Sequence, residues 1–205
     1  MSSRRTVDVS RLPDITLDSG ALFWWATAGL IAIEAMSFAI IIATFIYLRM
    51  TVTDWPPPTL PPPDLRWGIA GLVVLVISCV PIRMAEKIAG RGRPEEDRRR
   101  IVALIRVFLL IAAVAVAIRL LEFPGTHCKW NNSAYGSVIW TTLGIHLLEA
   151  LAGFAEFAVV AAVLVGSHAE EKHLLDVRAC ALFWYFIVAV WIPLFGMIYV
   201  FPRLS

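Results

Sequence analysis

Charge, histidine and cysteine are all scarce in this 205-residue chain. Charged residues make up 17% of it, against 59% that are hydrophobic. Soluble domains carry about a quarter charged residues, so no soluble domain large enough to fold alone is expected. The net charge of +2 leaves no basic surplus for a nucleic-acid partner. Four histidines are too few for a bis-histidine haem plus a copper set. Cys79, Cys128 and Cys180 form no CxxC pair, and no CxxCH is present for covalent haem attachment. They fall at different depths of the spans inferred below, which argues against a disulfide. No A-x-A site follows the first apolar run, which is also too long for a signal-peptide core, so it reads as a retained span.

What is abundant is long apolar sequence. Runs of about 18 residues or more recur, and each reads as a membrane crossing. The fold class expected is all-α, a polytopic transmembrane bundle of five helices. The spans fall at about 21–49, 67–88, 101–121, 135–166 and 179–201. At about 1.5 Å per residue each crosses a hydrocarbon core of roughly 30 Å. Residues 1–20 form a polar leader holding Arg4, Arg5, Asp8, Arg11 and Asp14, and 21–205 form the membrane domain. The most basic loop, "EKIAGRGRPEEDRRR", belongs on the cytoplasmic side. Alternation then puts the N-terminus inside and the C-terminus outside, periplasmic in a bacterium. The loop "SHAEEKHLLDVR" returns inside, with His168 and His173 solvated. Six prolines make "DWPPPTLPPPD", residues 54–64, an extended, stiff strap on the outer face.

Ionisable groups inside spans are costly and face protein or water. Glu34 lies deep in the first helix; His146, Glu149 and Glu156 lie deep in the fourth. Arg83, Arg106, Arg119, Glu122 and Arg178 sit nearer span ends. Positions 146, 149, 153 and 156 are spaced three, four and three apart, which draws one stripe along a helix face. Counted from the cytoplasmic end, Glu34 lies about 20 Å in, Glu156 about 15 Å and Glu149 about 25 Å. If the two helices touch, Glu34 can share a proton or a hydrogen bond with Glu149 or His146. Three readings compete: a metal site, a proton or substrate path, and a polar network that locks two helices together. A metal site has one His-x-x-Glu but no second copy. An independent transporter would show paired broken helices, and none is evident. His127 beside Cys128 gives only two ligands in a loop. Arg98, Arg99 and Arg100 are a topology signal and candidates for anionic lipid headgroups. Trp24, Trp25, Trp55, Trp67 and Trp130 sit near span ends, as interfacial indoles do.

Several stretches, in order, resemble subunit III of haem-copper terminal oxidases. "IEAMSFAIIIATFIYLR" is similar to that family's glutamate-bearing helix and puts Glu34 on its buried glutamate. "WPPP" at 55–58 follows at the family's distance. "IRLLEF" is similar to the close of the next-but-one helix and places Glu122 there. "NNSAYGSVIWTTLGIHLLEALAG" and "FWYFIVAVWIPLFGMIY" resemble the family's last two helices. The match runs from about residue 20 to the end, in the short five-helix bacterial form. Departures fall on the polar positions: Glu149 replaces the second histidine of His-x-x-His, Tyr185 a histidine, Val188 an aspartate and Arg178 a glutamate.

The resemblance implies an accessory, non-redox subunit in a bacterial inner membrane, with no catalytic centre of its own. It implies packing on the catalytic subunit I and other oxidase subunits. It implies structural phospholipid, and support of sustained proton uptake during oxygen reduction. Haem and copper would lie in partner subunits of a cytochrome c or quinol oxidase, with no metal held by this chain. Glu34, His146 and Glu149 would form a buried cluster fixing helix one to helix four. Glu156 would attract protons nearer the cytoplasmic surface, and Glu122 and Tyr185 would be secondary polar positions. A subunit III-like partner of a nitric oxide reductase is the alternative within the resemblance, and an independent transporter the alternative outside it.

Overall fold

The computed structural model describes residues 19–166 and 171–204. Most of the polar leader and His168 lie outside the described residues. Five α-helices follow one another: α1 Ser19–Thr51, α2 Leu65–Ala89, α3 Pro94–Gly125, α4 Ala134–Gly166 and α5 Glu171–Phe195. A π-helical turn, Gly196–Val200, and a short 3-10 turn, Phe201–Arg203, continue α5. All five are long and apolar enough to cross a membrane, as expected from hydropathy.

Two helices begin earlier than apolarity alone indicates. α3 starts with Pro94 in its first turn, followed by Glu95, Glu96 and Asp97. Proline is pre-shaped for that position, and acids there meet the positive end of the helix dipole. These charges lie outside the apolar run but inside the helix. α5 likewise starts at Glu171, so most of "SHAEEKHLLDVR" is helix rather than loop. This corrects the placement of His173, which is 8% exposed and packed into the bundle instead of solvated.

The connections are tied down by specific bonds. The Asp64 carboxylate accepts from the Arg66 amide at the start of α2, the usual service of an N-cap aspartate. The Ser133 hydroxyl accepts from the Gly136 amide at 3.1 Å, at the start of α4. The proline-rich segment between α1 and α2 is non-helical, as six prolines require. Its Trp55 packs edge-on against Phe45 of α1 and Tyr135 of α4, with centroids 5.3 and 5.2 Å away. The Asp64 amide donates to the Gly125 carbonyl at 2.8 Å, and the Arg203 guanidinium donates to the Pro63 carbonyl. The segment therefore ties together the neighbouring ends of α1 to α5.

α5 is the hub, touching the other four helices, while among the described residues α1 leans mainly on α5 and α4. Among hydrocarbon tails no apolar surface is gained by burial, so packing and polar bonds must hold the helices together. Trp184 and Trp191 of α5 are fully buried. Trp184 meets Phe108 of α3 edge-on at 4.8 Å and donates its indole N–H to the Ser78 hydroxyl of α2 at 2.8 Å. Gly153 makes this closeness possible, since a Cβ there would lie 2.9 Å from the Trp184 ring. Cys79, Cys128 and Cys180 are all free.

Candidate functional site

The acidic stripe of α4 is real but serves two neighbours. Glu149, 7% exposed, interacts with the carboxyl of Glu34 across the α1–α4 seam. Neither Glu149 oxygen has a donor from another group. A carboxyl-to-carboxyl hydrogen bond requires a proton between them, because two carboxylates only accept. The structure thus brings Glu34 and Glu149 within interaction range of each other. His146 turns elsewhere. Its Nε2 bonds the Ile187 carbonyl of α5 at 3.1 Å. A carbonyl only accepts, so Nε2 carries the proton and Nδ1, which has no partner, is the bare nitrogen. The imidazole packs against Trp191 at 4.7 Å and Phe38 at 6.3 Å. It joins α4 to α5 and does not reach Glu34.

Glu156 lines a cavity of about 640 Å³ between α1, α4 and α5, beside His173, Asp176 and Cys180. Its carboxyl neighbours the Cys180 thiol on the cavity wall. The apolar wall comes from residues such as Leu30, Val159 and Phe183. Leu30 is one turn from Glu34, and Ala152 one turn from Glu149, so the cavity closes near the acid pair.

A second polar centre, fully buried, was only half legible. Arg119 and Glu122 of α3 form an ion pair with side chains 3% and 0% exposed. The Tyr199 hydroxyl donates to the same Glu122 oxygen at 3.0 Å. The Arg119 guanidinium lies 3.4 Å from the centroid of the Trp191 ring, a cation–π geometry. Gly71 of α2 leaves the room: a Cβ there would sit 2.6 Å from the other Glu122 oxygen. Both residues were visible in "IRLLEF", three apart on one face. Tyr199 and Trp191 were not, because nothing in a linear sequence places α5 over that turn. The π-helical turn 196–200, downstream of Pro193, carries Tyr199 into place. Tyr185 donates to Glu86 at 3.1 Å, and Glu86 pairs with Arg83 at 2.8 Å, which ties α5 to α2. Val188 is buried and Arg178 is exposed.

Outside the spans two groups are electrostatically set. The Arg66 guanidinium, bonded to Asp64 at 2.8 and 3.1 Å, holds that carboxyl below its ordinary range. Burial pushes the Cys128 thiol above its ordinary value, so it stays a thiol. Among the described residues no three His, Cys, Asp or Glu side chains gather into a metal-ligand set. His127 is no exception.

Comparison with known proteins finds relatives along most of the chain. The model of the family "Cytochrome c oxidase subunit III" matches residues 27–203. Among curated proteins, the probable cytochrome c oxidase subunit 3 of Nocardia farcinica is 27% identical over 183 residues, covering 88% of this chain and 85% of that one. The Corynebacterium diphtheriae cytochrome c oxidase subunit 3 is 29% identical over 138 residues, 66% of each chain. That of Triticum aestivum is 26% identical over 147 residues, covering 71% of this chain and 54% of its own.

Proposed function

The chain belongs to the cytochrome c oxidase subunit III family, and from that premise we propose that it is the accessory, non-redox subunit of a respiratory haem-copper oxidase. It packs on the catalytic subunit I, in a bacterial inner membrane, with its N-terminus cytoplasmic and its C-terminus periplasmic. The observation that carries this reading is the family match along the whole five-helix bundle. The bacterial relatives and the basic α2–α3 connection are consistent with the location and the orientation. Electron transfer and oxygen reduction then belong to the haem and copper of the partner subunits.

The chain's own contribution is structural and protonic. The cavity at Glu156, His173 and Asp176 opens on the end of the bundle where the basic connection lies, and it closes near Glu34 and Glu149. Groups of this kind hold and exchange protons at a membrane face, which supports a role in keeping proton uptake fast over many turnovers. The apolar wall of the same cavity suits a phospholipid acyl chain.

Affinity purification of the tagged full-length chain from its native membrane is the direct test. Co-purification of a haem-bearing complex with oxygen-consuming activity is expected. A chain that elutes alone, without haem absorbance, refutes the assignment. Within the complex, Glu34→Ala and Glu149→Ala should leave initial turnover near normal and shorten the number of turnovers before inactivation. Unchanged subunit retention together with unchanged turnover lifetime in both variants removes the acid pair from the mechanism.

A further inference from the structure

The first turns of α3 form a second cavity, remote from the acid pair. Arg98, Arg99 and Arg106 line it with Ala103 and with Leu164 and Val165 from the last turn of α4; its volume is about 240 Å³. Arg99 and Arg106 are both exposed. Seven residues separate them, so they share a helix face with about 10 Å of axial rise between them. Arg106 therefore lies inside the apolar span and directs its side chain outward from the bundle. A guanidinium at that depth is costly unless it meets water, an anion or a partner charge, and its stem lets the head reach back toward the interface. Convergence of Arg99 and Arg106 on one cavity is what that reach produces.

The nearby acids leave the cavity basic. Glu96 pairs with Arg93 at 3.3 Å, and Asp97 is 6% exposed and turned into the bundle. Glu95 lies one turn before Arg98 and Arg99 and offsets at most one of the three guanidiniums that line the cavity. The floor at Ala103, Leu164 and Val165 is apolar, which suits an acyl chain and is no advantage to a free inorganic anion. Guanidinium forks match phosphate oxygens two at a time, and basic pockets between helices near the cytoplasmic face hold lipid phosphates.

We propose that Arg99 and Arg106 clamp the phosphate of one anionic phospholipid whose acyl chains lie on Ala103, Leu164 and Val165. The site rests on α3 being a membrane span and is independent of the identity of the oxidase partner. It also revises which arginines matter: Arg106 enters, and Arg100 does not line the cavity.

The test uses the full-length chain in its purified complex, exchanged into detergent with phosphatidylglycerol or phosphatidylcholine and read by native mass spectrometry. One retained phosphatidylglycerol per chain is expected. The R99Q/R106Q variant should weaken that retention about tenfold, the loss of one charge-assisted contact's worth of affinity or more. Arg106→Lys, which keeps the charge and loses the fork, should retain more than Arg106→Gln and less than the wild type, and Arg91→Gln, in the exposed loop, should keep all of it. Equal retention of phosphatidylcholine, or an R99Q/R106Q adduct as abundant as the wild type, overturns the proposal. Retention of added inorganic phosphate without lipid overturns the choice of a phospholipid. If the double variant leaves the complex, Arg106→Gln alone is read by the same adduct count and judged by the same outcomes.

Discussion

The two polar centres of the bundle differ in how they are paired. Arg119 and Glu122 are closed in by α2, α3 and α5 and carry opposite charges, a tyrosine hydroxyl and an indole face between them. Glu34 and Glu149 face each other across the looser seam to α1, with like groups and no cation. The first has its charge matched by the protein, through one Glu122 oxygen that takes both bonds while the other takes none; the second can be bridged by a shared proton. In a low-dielectric interior, removing half of an oppositely charged pair leaves an uncompensated charge, whereas a like pair of acids is relieved by sharing a proton. The ion pair sits where α2, α3 and α5 meet, and the acid pair sits on the α1–α4 seam.

The sharpest way to break this comparison is to remove half of the ion pair. Glu122→Ala leaves Arg119 buried and uncompensated, which costs about 3–5 kcal/mol in comparable buried pairs. The thermal inactivation midpoint of the purified complex should fall steeply, and Arg119→Ala should do nearly the same. A near-additive double-mutant cycle would show that the two do not act as a pair.

Next in size is the notch. Gly71→Ala places a methyl 2.6 Å from the Glu122 carboxylate. Overpacking of this kind costs about 1–3 kcal/mol. The same stability measurement should show an intermediate loss, because the carboxylate can move only by weakening its bond to Tyr199 or Arg119. A neutral Gly71→Ala would mean that α2 yields instead, and the centre is softer than its burial indicates.

Smaller again is the acid pair. Glu34→Gln or Glu149→Gln supplies an amide donor to the remaining carboxyl without needing a shared proton. Stability should change by less than about 1 kcal/mol, in either direction, while turnover lifetime shortens. The split between those two readouts is the point of the comparison. A large loss of stability would put Glu34 and Glu149 in the same cementing class as Arg119 and Glu122.

This division explains what could be read from the residues alone. All five spans were legible because lipid imposes length and apolarity on them. The starts of α3 and α5 were not, because Pro94 to Asp97 and Glu171 to Asp176 look like loop to any hydropathy scale and are helical through capping and packing. The facing of Glu34 and Glu149 was legible because a stripe of period 3.6 and matched depth are one-dimensional quantities. The turn of His146 toward Ile187 was not, because three residues on a helix face cover an arc wide enough to address two neighbours. Tyr199 depended on the π-helical turn after Pro193, a local shift of register that no spacing rule announces.

The smallest effect expected lies at the strap. Asp64 is half-buried but its partner guanidinium is 87% exposed, so salt and water still screen the pair. Its carboxyl is held below the ordinary value. A depressed folded-state value means the contribution is complete above the unfolded value, about 3.9. It is lost as pH falls through the still lower folded value. Hydrogen exchange at the Arg66 and Trp67 amides should therefore be flat between pH 7 and 5 after correction for intrinsic rates. Protection should fall below about pH 4 in the wild type, and Asp64→Asn should abolish that acid-dependent step. The backbone bond from the Asp64 amide to the Gly125 carbonyl survives both changes, so the strap stays docked while its cap loosens. A step of the same size in Asp64→Asn would trace the acid sensitivity to another group at this end of the bundle, with the Arg66 pair contributing nothing measurable.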